Sequence, residues 1–446
     1  MAPRPEYTGV FAPTSVAGAL AGVTTAEPHI RRLRLGLGGN VDPAASDRPD
    51  PSTSVAIAWQ TDVGVTATWV QYGASPEPSS WQAEDRAYGL SYLVPPGKNN
   101  VVASEQQLHE VHLCGLTPST TYYYRVGGGP PGQEVWSEVR AFATTPDPGD
   151  DDSEVTLAVT GDSRGQHNNA WQILNERLFK RGNINAQLFS GDIVDLAIFQ
   201  EQYESWLDRG AFDTAGQPSL FGQVLTLIAM GNHELYNPQF FATVVQPQQP
   251  SFTGGRYDEL FFSTNIGPVH VVVLDDQRVG QPGADKEYAP LLNAWLRSDL
   301  GAVDRKTQPW VVAVHHRGEW TSSNHGDDSD VLVVRDALVP VWDEFKVDLV
   351  LNGHDHNYER SKPLHLEGGQ PVTGSGTTYV VCAGSGADGY GNGTGPVTAF
   401  SARYDQGDRI GVYGLLTASH SRLSFDAHFL TADGTDPKAD SFVLTR

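Results

Sequence analysis

At residues 146–153, PDPGDDDS, the hydrophobic patterning of this chain changes its period, and the change calls for two architectures in one polypeptide. From about 28 to 146 the apolar residues come in short runs: HIRRLRLGL, TSVAIAWQT, ATWVQYG, LHEVHLCGL, TYYYRVGG and VRAFATT. These alternate apolar with polar positions and are broken by Gly, Pro, Asn and Ser, the pattern of half-buried strands. With no helical stretch among them, this half predicts an all-β sandwich. Beyond 153, near-continuous apolar runs appear: VTLAVT, AQLFS, VLTLIAM, VHVVVL, WVVAV, VDLVL and TYVVCA. Strands apolar on both faces sit in a sheet covered on both sides. They alternate with helical spacing, as at Trp171, Leu174 and Leu178, so this half predicts an α/β domain. Residues 1–27, small and polar with scattered Pro, read as an N-terminal arm. The expected division is arm 1–27, sandwich 28–146, linker by composition, and α/β domain 150–446.

Several runs of the second half end directly on polar residues. VTLAVT leads into Gly161-Asp162-Ser163-Arg164, AQLFS into Gly191-Asp192-Ile193-Val194-Asp195, and VLTLIAM into Gly231-Asn232-His233-Glu234. WVVAV leads into His315-His316, and VDLVLN into Gly353-His354-Asp355-His356. Functional groups of α/β sheets collect beyond the carboxyl ends of strands. Oxygen and imidazole donors at five such ends suit Zn, Mn, Fe or Mg. His354 and His356, two apart, face one side if the segment is extended.

Charge narrows the function. With 53 acidic against 30 basic residues and a net charge of −23, a general nucleic-acid binder is excluded, since such binding needs a basic face. A phosphate site would have to be locally positive, through metals or placed Arg. Two cysteines, Cys114 and Cys382, sit in apolar runs and read as buried free thiols rather than a disulfide framework. No stretch is long and apolar enough to span a membrane. TSVAGALAGV at 14–23 lacks the basic flank of a secretory signal. The acidic stretches 317–330 and Asp150–Asp152 read as solvated loops.

The ordered set GD, GDxxD, GNHE, H, GHxH resembles the calcineurin-like metallophosphoesterases, and more closely the purple acid phosphatases. Gly353–Arg360 reads GHDHNYER, similar to their GHxHxYER, and Trp320–His325 resembles their segment after the first metal-binding His. Leu116–Tyr124 resembles a corner of fibronectin type III domains, and a preceding β-sandwich also fits. The resemblance covers 28–446, densely at the motifs. It implies a fibronectin type III-like sandwich followed by an α/β/β/α metallophosphoesterase domain. The implied activity is metal-dependent hydrolysis of small-molecule phosphate monoesters, in an extracellular or periplasmic location. The implied cofactors are two divalent or trivalent ions, of Fe, Zn or Mn. Carried over by position, Asp192 bridges them, Asn232, His315 and His354 complete the second site, and Asp162 and His356 hold the first. A metal-activated hydroxide attacks phosphorus, His233 protonates the leaving oxygen, and His325 is a second His on the substrate side. Glu234 orients its neighbours or lies at a helix N-terminus. His316 is a rim residue contacting substrate, or else replaces His315 as ligand. Arg164, Arg317 and Arg360 are candidates for phosphate contact, because a guanidinium binds two oxygens at once.

The pattern departs from the family at two places. The Tyr expected three residues after the bridging Asp is Asp195, and the His of generic metallophosphoesterases two residues after the first Asp is Arg164. Both usual sources of a fourth first-site ligand are therefore missing. Asp195 or water completes that site, or Arg164 supplies positive charge beside a weak or empty one, as in a single-metal enzyme. Two other readings stay open: a phosphodiesterase on the same site, and a binding protein with a vestigial centre whose sandwich docks to a partner or polysaccharide.

Overall fold

Each apolar run named above contains a strand in the computed structural model of the protein. It describes residues 29–38, 48–82, 85–96, 103–129, 133–164, 169–211, 220–234, 236–247, 257, 259–281, 285–390, 400–405 and 409–446. The arm read at 1–27 lies outside them.

The chain forms two compact units that are not contiguous in sequence. The first contains 1–147 together with 196–226 and 236–259, and the second contains the rest. The stretch from 150 onward, expected as one domain, thus gives two segments to the first unit. One reason is visible inside that unit. Arg32 pairs through Nε with Asp208 Oδ1 at 2.7 Å and through its NH2 with Oδ2 at 2.9 Å, fastening helix Gln200–Ala211 to strand Arg31–Gly36.

The first unit is all-β apart from short helices and these insertions. Strands Arg31–Gly36, Ser54–Thr61, Gln106–Cys114 and Leu90–Val94 pair antiparallel in that order. A second antiparallel sheet runs Arg86–Tyr88, Trp69–Gly73, Thr121–Gly128 and Val135–Trp136, with Arg140–Ala143 also on Thr121–Gly128. Inside, His109 lies stacked on Trp59 between the hydroxyls of Thr61 and Thr68. Burial pushes this imidazole down to about 3, so it is a neutral core residue.

The second unit carries two mixed sheets, the α/β/β/α arrangement. One runs Lys438–Thr445, Arg422–Leu430, Gly411–Ser419, Val155–Thr160, Ala186–Phe189, followed by the end of Leu225–Ile228. The other runs Phe261–Ile266, Val269–Leu274, Trp310–Val314, Leu349–Asn352, Thr378–Cys382, Tyr358–Ser361, Ser401–Asp405. Val155–Thr160 and Ala186–Phe189 pair parallel, as do Val269–Leu274, Trp310–Val314, Leu349–Asn352 and Thr378–Cys382 in succession. Parallel pairing brings the carboxyl ends of neighbouring strands to one edge of each sheet. Helix Ala170–Arg181 buries Trp171, Leu174 and Leu178 and stops at Gly182, whose φ of 65° suits a residue without Cβ. Helix Ser329–Phe345 buries Val331, Val334, Leu338 and Trp342 at helical spacing.

Neither cysteine is in a disulfide, and Cys382 is buried while Cys114 is half-buried. Asp150–Asp152 is exposed, but the 317–330 stretch is solvated only in its second half: Arg317 through Ser323 are buried, and the residues from Asn324 to Asp330 are exposed or half-buried. No described helix is long and apolar enough to cross a membrane.

Candidate metal centre

Asp162, Asp192 and His354, with Arg164 beside them, follow strand ends in the left-handed backbone region, at φ of 51°, 58°, 72° and 39°. Strain of this kind in non-glycine residues persists only where surrounding contacts hold it, and it gathers at functional sites. The adjoining glycines make the close approach possible. A Cβ on Gly231 would strike Asp192 Oδ1, and one on Gly353 would strike Asp162 Oδ2. Glu234 binds the turns together. Its Oε2 accepts the N–H of Gly231 and Asp192 at 2.6 and 3.0 Å, and its Oε1 that of Ile193 at 2.9 Å. Burial and the neighbouring Asp192 charge push this carboxyl up to about 8 against the pull of those donors. Glu234 therefore orients the loop that carries Asp192.

The hydrogen-bond pattern sorts the imidazoles. His316 Nδ1 lies 2.8 Å from the Ser190 carbonyl, which only accepts, so Nδ1 carries a proton. Its Nε2 then faces Asn232 Oδ1 at 2.9 Å and Asp192 Oδ1 at 3.4 Å. His354 Nδ1 reaches the same Asn232 Oδ1 at 3.0 Å. Four donor atoms of metal-ligand type thus converge. One atom each from Asp162, Asp192 and His316 also lie within 4.8 Å of one another. On the other side, His356 Nδ1 donates to the Asp388 carbonyl at 2.8 Å, which turns its Nε2 toward Asp162 Oδ1 at 3.5 Å without a hydrogen bond. His356 Nε2 and Asp162 Oδ2 are buried and find no partner among the described residues. Leaving such atoms unpaired costs about 1–3 kcal/mol each, and a cation would relieve it. Imidazole N–H groups donated to carbonyls are the usual setting of ligating His. The residues present therefore fit metal ions. Burial opposes ionisation of Asp192, but His316, His233 and Arg164 outweigh it and hold the carboxyl well below the usual range. Burial, then His316 and His325, hold the His354 imidazole well below its ordinary value, which keeps its lone pair available.

His233 lies beside this group. Its Nδ1 donates to the Asp195 carbonyl at 2.6 Å, and its Nε2 accepts from Arg164 at 2.7 Å. The same Arg164 nitrogen is 3.2 Å from Asp192 Oδ2, and its other terminal nitrogen is 3.5 Å from Asp195 Oδ1. Asp195 thus reaches Arg164. His325 packs on the His354 ring at 4.3 Å, with Nδ1 on Asp328 at 2.8 Å.

Four expectations are corrected. His315 turns away from the centre, its ring clasped by Asp276 at 2.8 Å and Glu319 at 3.0 Å, and His316 takes the place at Asp192. Burial works to lower the His315 imidazole, but Glu319 and Asp276 outweigh it and push it up to about 10. Such a cation cannot ligate. The cause of the exchange is Asp276, which takes both His315 and Arg317, two apart just past the strand Trp310–Val314, and leaves His316 for the centre. Arg317 is only 1% exposed and saturated by Asp276, Gln277 and Asp330, so it does not contact substrate. Arg360 is held by Asp440 at 2.7 Å. Finally, His354 and His356 reach the centre through a bend rather than an extended segment.

Sequence reasoning missed Asp276, Glu319 and Tyr390. Asp276 had a signal, since it follows the strand Val269–Leu274 much as the other site residues follow theirs. Tyr390 stacks on His356 at 4.3 Å and meets His325 edge-on at 5.5 Å, and nothing in its surroundings in sequence marked it.

Comparison with known proteins identifies the two domains. Residues 46–144 match the purple acid phosphatase N-terminal domain, and residues 155–358 match the calcineurin-like phosphoesterase domain. Purple acid phosphatase 15 of Arabidopsis thaliana is 26% identical over 407 residues, 84% of this chain and 73% of that protein. A phosphoenolpyruvate phosphatase of Allium cepa is 25% identical over 324 residues, 69% of this chain and 60% of that protein. A solved purple acid phosphatase from yellow lupin (Lupinus luteus) seeds shares the fold, with a TM-score of 0.71 over 94% of this chain and 74% of that one at 19% identity. Fold and domain order define a metallophosphoesterase, a hydrolase of phosphoric esters. The chain belongs to the purple acid phosphatase-like proteins of the calcineurin-like metallophosphoesterase superfamily.

Proposed function

We propose that this chain hydrolyses small phosphate monoesters at a centre whose ions are held by Asp192, Asn232, His316 and His354 on one side and by Asp162 and His356 on the other. The observation that carries the reading is the convergence of His316 Nε2, His354 Nδ1, Asn232 Oδ1 and Asp192 Oδ1, with His316 turned there by its bond to Ser190. When bound, the ions would polarise phosphoryl oxygens and lower the pKa of water. Fe, Zn and Mn all suit the N/O donor set.

The chain's own groups do the rest. Arg164 stands at the centre, while Arg317 and Arg360 are taken by carboxylates. A planar guanidinium prefers the two oxygens of a phosphoryl group to its present single-oxygen contacts. As it turns to the substrate it frees His233 Nε2, which it now occupies. His233 then takes a proton from solvent at the freed Nε2 and passes it to the leaving oxygen, its ring fixed by the Nδ1–H bond to Asp195. His325 lines the substrate side above His354. Kinship with the family supports an extracellular or periplasmic location.

Turnover of an aryl phosphate monoester and a matched diester, after loading with Mn, Zn or Fe, tests the reading. The monoester should be the faster substrate, and chelation should abolish both activities. A faster diester would make the chain a phosphodiesterase, and metal-loaded protein inert to both would make it a binding protein.

A further inference from the structure

We infer that Arg164 makes the two ion positions unequal. Asp192, Asn232, His316 and His354 hold one ion tightly, and Asp162 with His356 take a second only when a phosphoryl anion draws the guanidinium off Asp192. The inference rests on the metal-centre reading above and adds to it an order of loading and a coupling between metal and anion.

The two oxygens of Asp192 are used differently. Oδ1 faces His316 Nε2 at 3.4 Å, on the side of Asn232 and His354. Oδ2, the oxygen left for the other ion, is taken by an Arg164 nitrogen at 3.2 Å. Arg164 is not a loose surface side chain. Its backbone N–H donates to the Asp192 carbonyl at 3.3 Å, its φ of 39° is strained, and its guanidinium also touches Asp195 at 3.5 Å and His233 at 2.7 Å. A fixed positive charge therefore sits on the carboxylate that both ions would share. Three donors besides Asp192 serve the tight position. Asp162 and His356 are the two that serve the other, and their unpartnered atoms show that it keeps the makings of a site.

Charge repulsion next to a shared carboxylate, at an effective dielectric of about 20, weakens a second dication by at least roughly 10²-fold. A phosphate dianion relieves it, because it offers Arg164 two oxygens at once. Linkage makes the effect reciprocal, so an anion that recruits the second ion is itself bound more tightly when that ion is present.

The test is Mn(II) binding to the full, metal-stripped chain by equilibrium dialysis, with electron paramagnetic resonance to detect a spin-coupled pair. Wild type should take one ion tightly without phosphate, and gain a second, with the coupled signal, when millimolar inorganic phosphate is added. Arg164→Ala and Arg164→Gln should take two ions without phosphate, whereas Arg164→Lys, which keeps the charge, should behave as wild type. Two ions of affinities within ~10-fold in phosphate-free wild type, or an unchanged single ion in both neutral variants, would overturn the inference. His354→Ala separates the two levels. If it leaves Mn(II) binding intact, the metal-centre reading itself fails.

Discussion

Replacing Glu319 by Gln should expose how the chain positions His316 without touching the centre. Glu319, buried, accepts from His315 Nε2 at 3.0 Å and from Trp342 Nε1 at 2.9 Å. Gln keeps an oxygen for Trp342 but removes the charge that holds His315 protonated. In the wild type that imidazole titrates at about 10 rather than the ordinary 6.5. The folded chain therefore keeps a proton that the unfolded chain releases above pH 6.5. The resulting stability is fully present below pH 6.5, falls by about 1.4 kcal/mol per pH unit above it, and is lost as pH rises through 10. Over roughly 3.5 pH units this amounts to about 5 kcal/mol, close to the ~3–5 kcal/mol for breaking a buried ion pair. Urea titrations of metal-stripped wild type and Glu319→Gln between pH 6.5 and 9.5 read it directly. Glu319→Gln should be less stable by about 3 kcal/mol at pH 7, with the gap closing as pH rises. A gap that is the same at pH 7 and 9.5 would refute the argument that His315 is a clamped cation.

Asp192→Ala should lose both metal retention, by elemental analysis, and turnover, because both donor groups meet at that carboxylate. His233→Ala should keep its metal and lose rate by roughly 10²–10⁴, less for nitrophenyl than for alkyl phosphates; an equal loss would remove His233 as the proton donor. Ferric loading should leave the wild type without the tyrosinate band that gives the family its colour, since the position of that Tyr is Asp195. Asp195→Tyr alone should stay colourless, because Arg164 still occupies Asp192 Oδ2 in that variant. Arg164→Ala combined with Asp195→Tyr should develop the visible band, and a band in the single variant would show that Arg164 does not block the site.

The strand ends that build the centre were legible because parallel pairing brings neighbouring strand ends to one edge within each of two sheets, and Asp162, Asp192, Asn232, His354 and His356 do meet. Side-chain direction was less legible. His315 and His316 stand side by side just past a strand end, and what decides between them is Asp276, carried on another strand end 39 residues earlier in the chain. Arg317 illustrates the same limit, since an arginine beside a motif looks like a phosphate ligand until the buried Asp276 and the half-buried Asp330 are seen around it. The sandwich was readable from its alternation, whereas the short strands Arg86–Tyr88 and Val135–Trp136 were too brief to show a period. That segments 196–226 and 236–259 belong with the first unit depends on pairings such as Arg32 with Asp208, separated by 176 residues, which no local pattern encodes.

The most direct test of the centre is an anomalous difference map from crystals of the Mn(II)-loaded protein. The account predicts a strong peak within about 2.0–2.3 Å of donor atoms of Asp192, Asn232, His316 and His354, and no density on His315. A peak on His315, or none among those four residues in protein that hydrolyses phosphate esters, would contradict it.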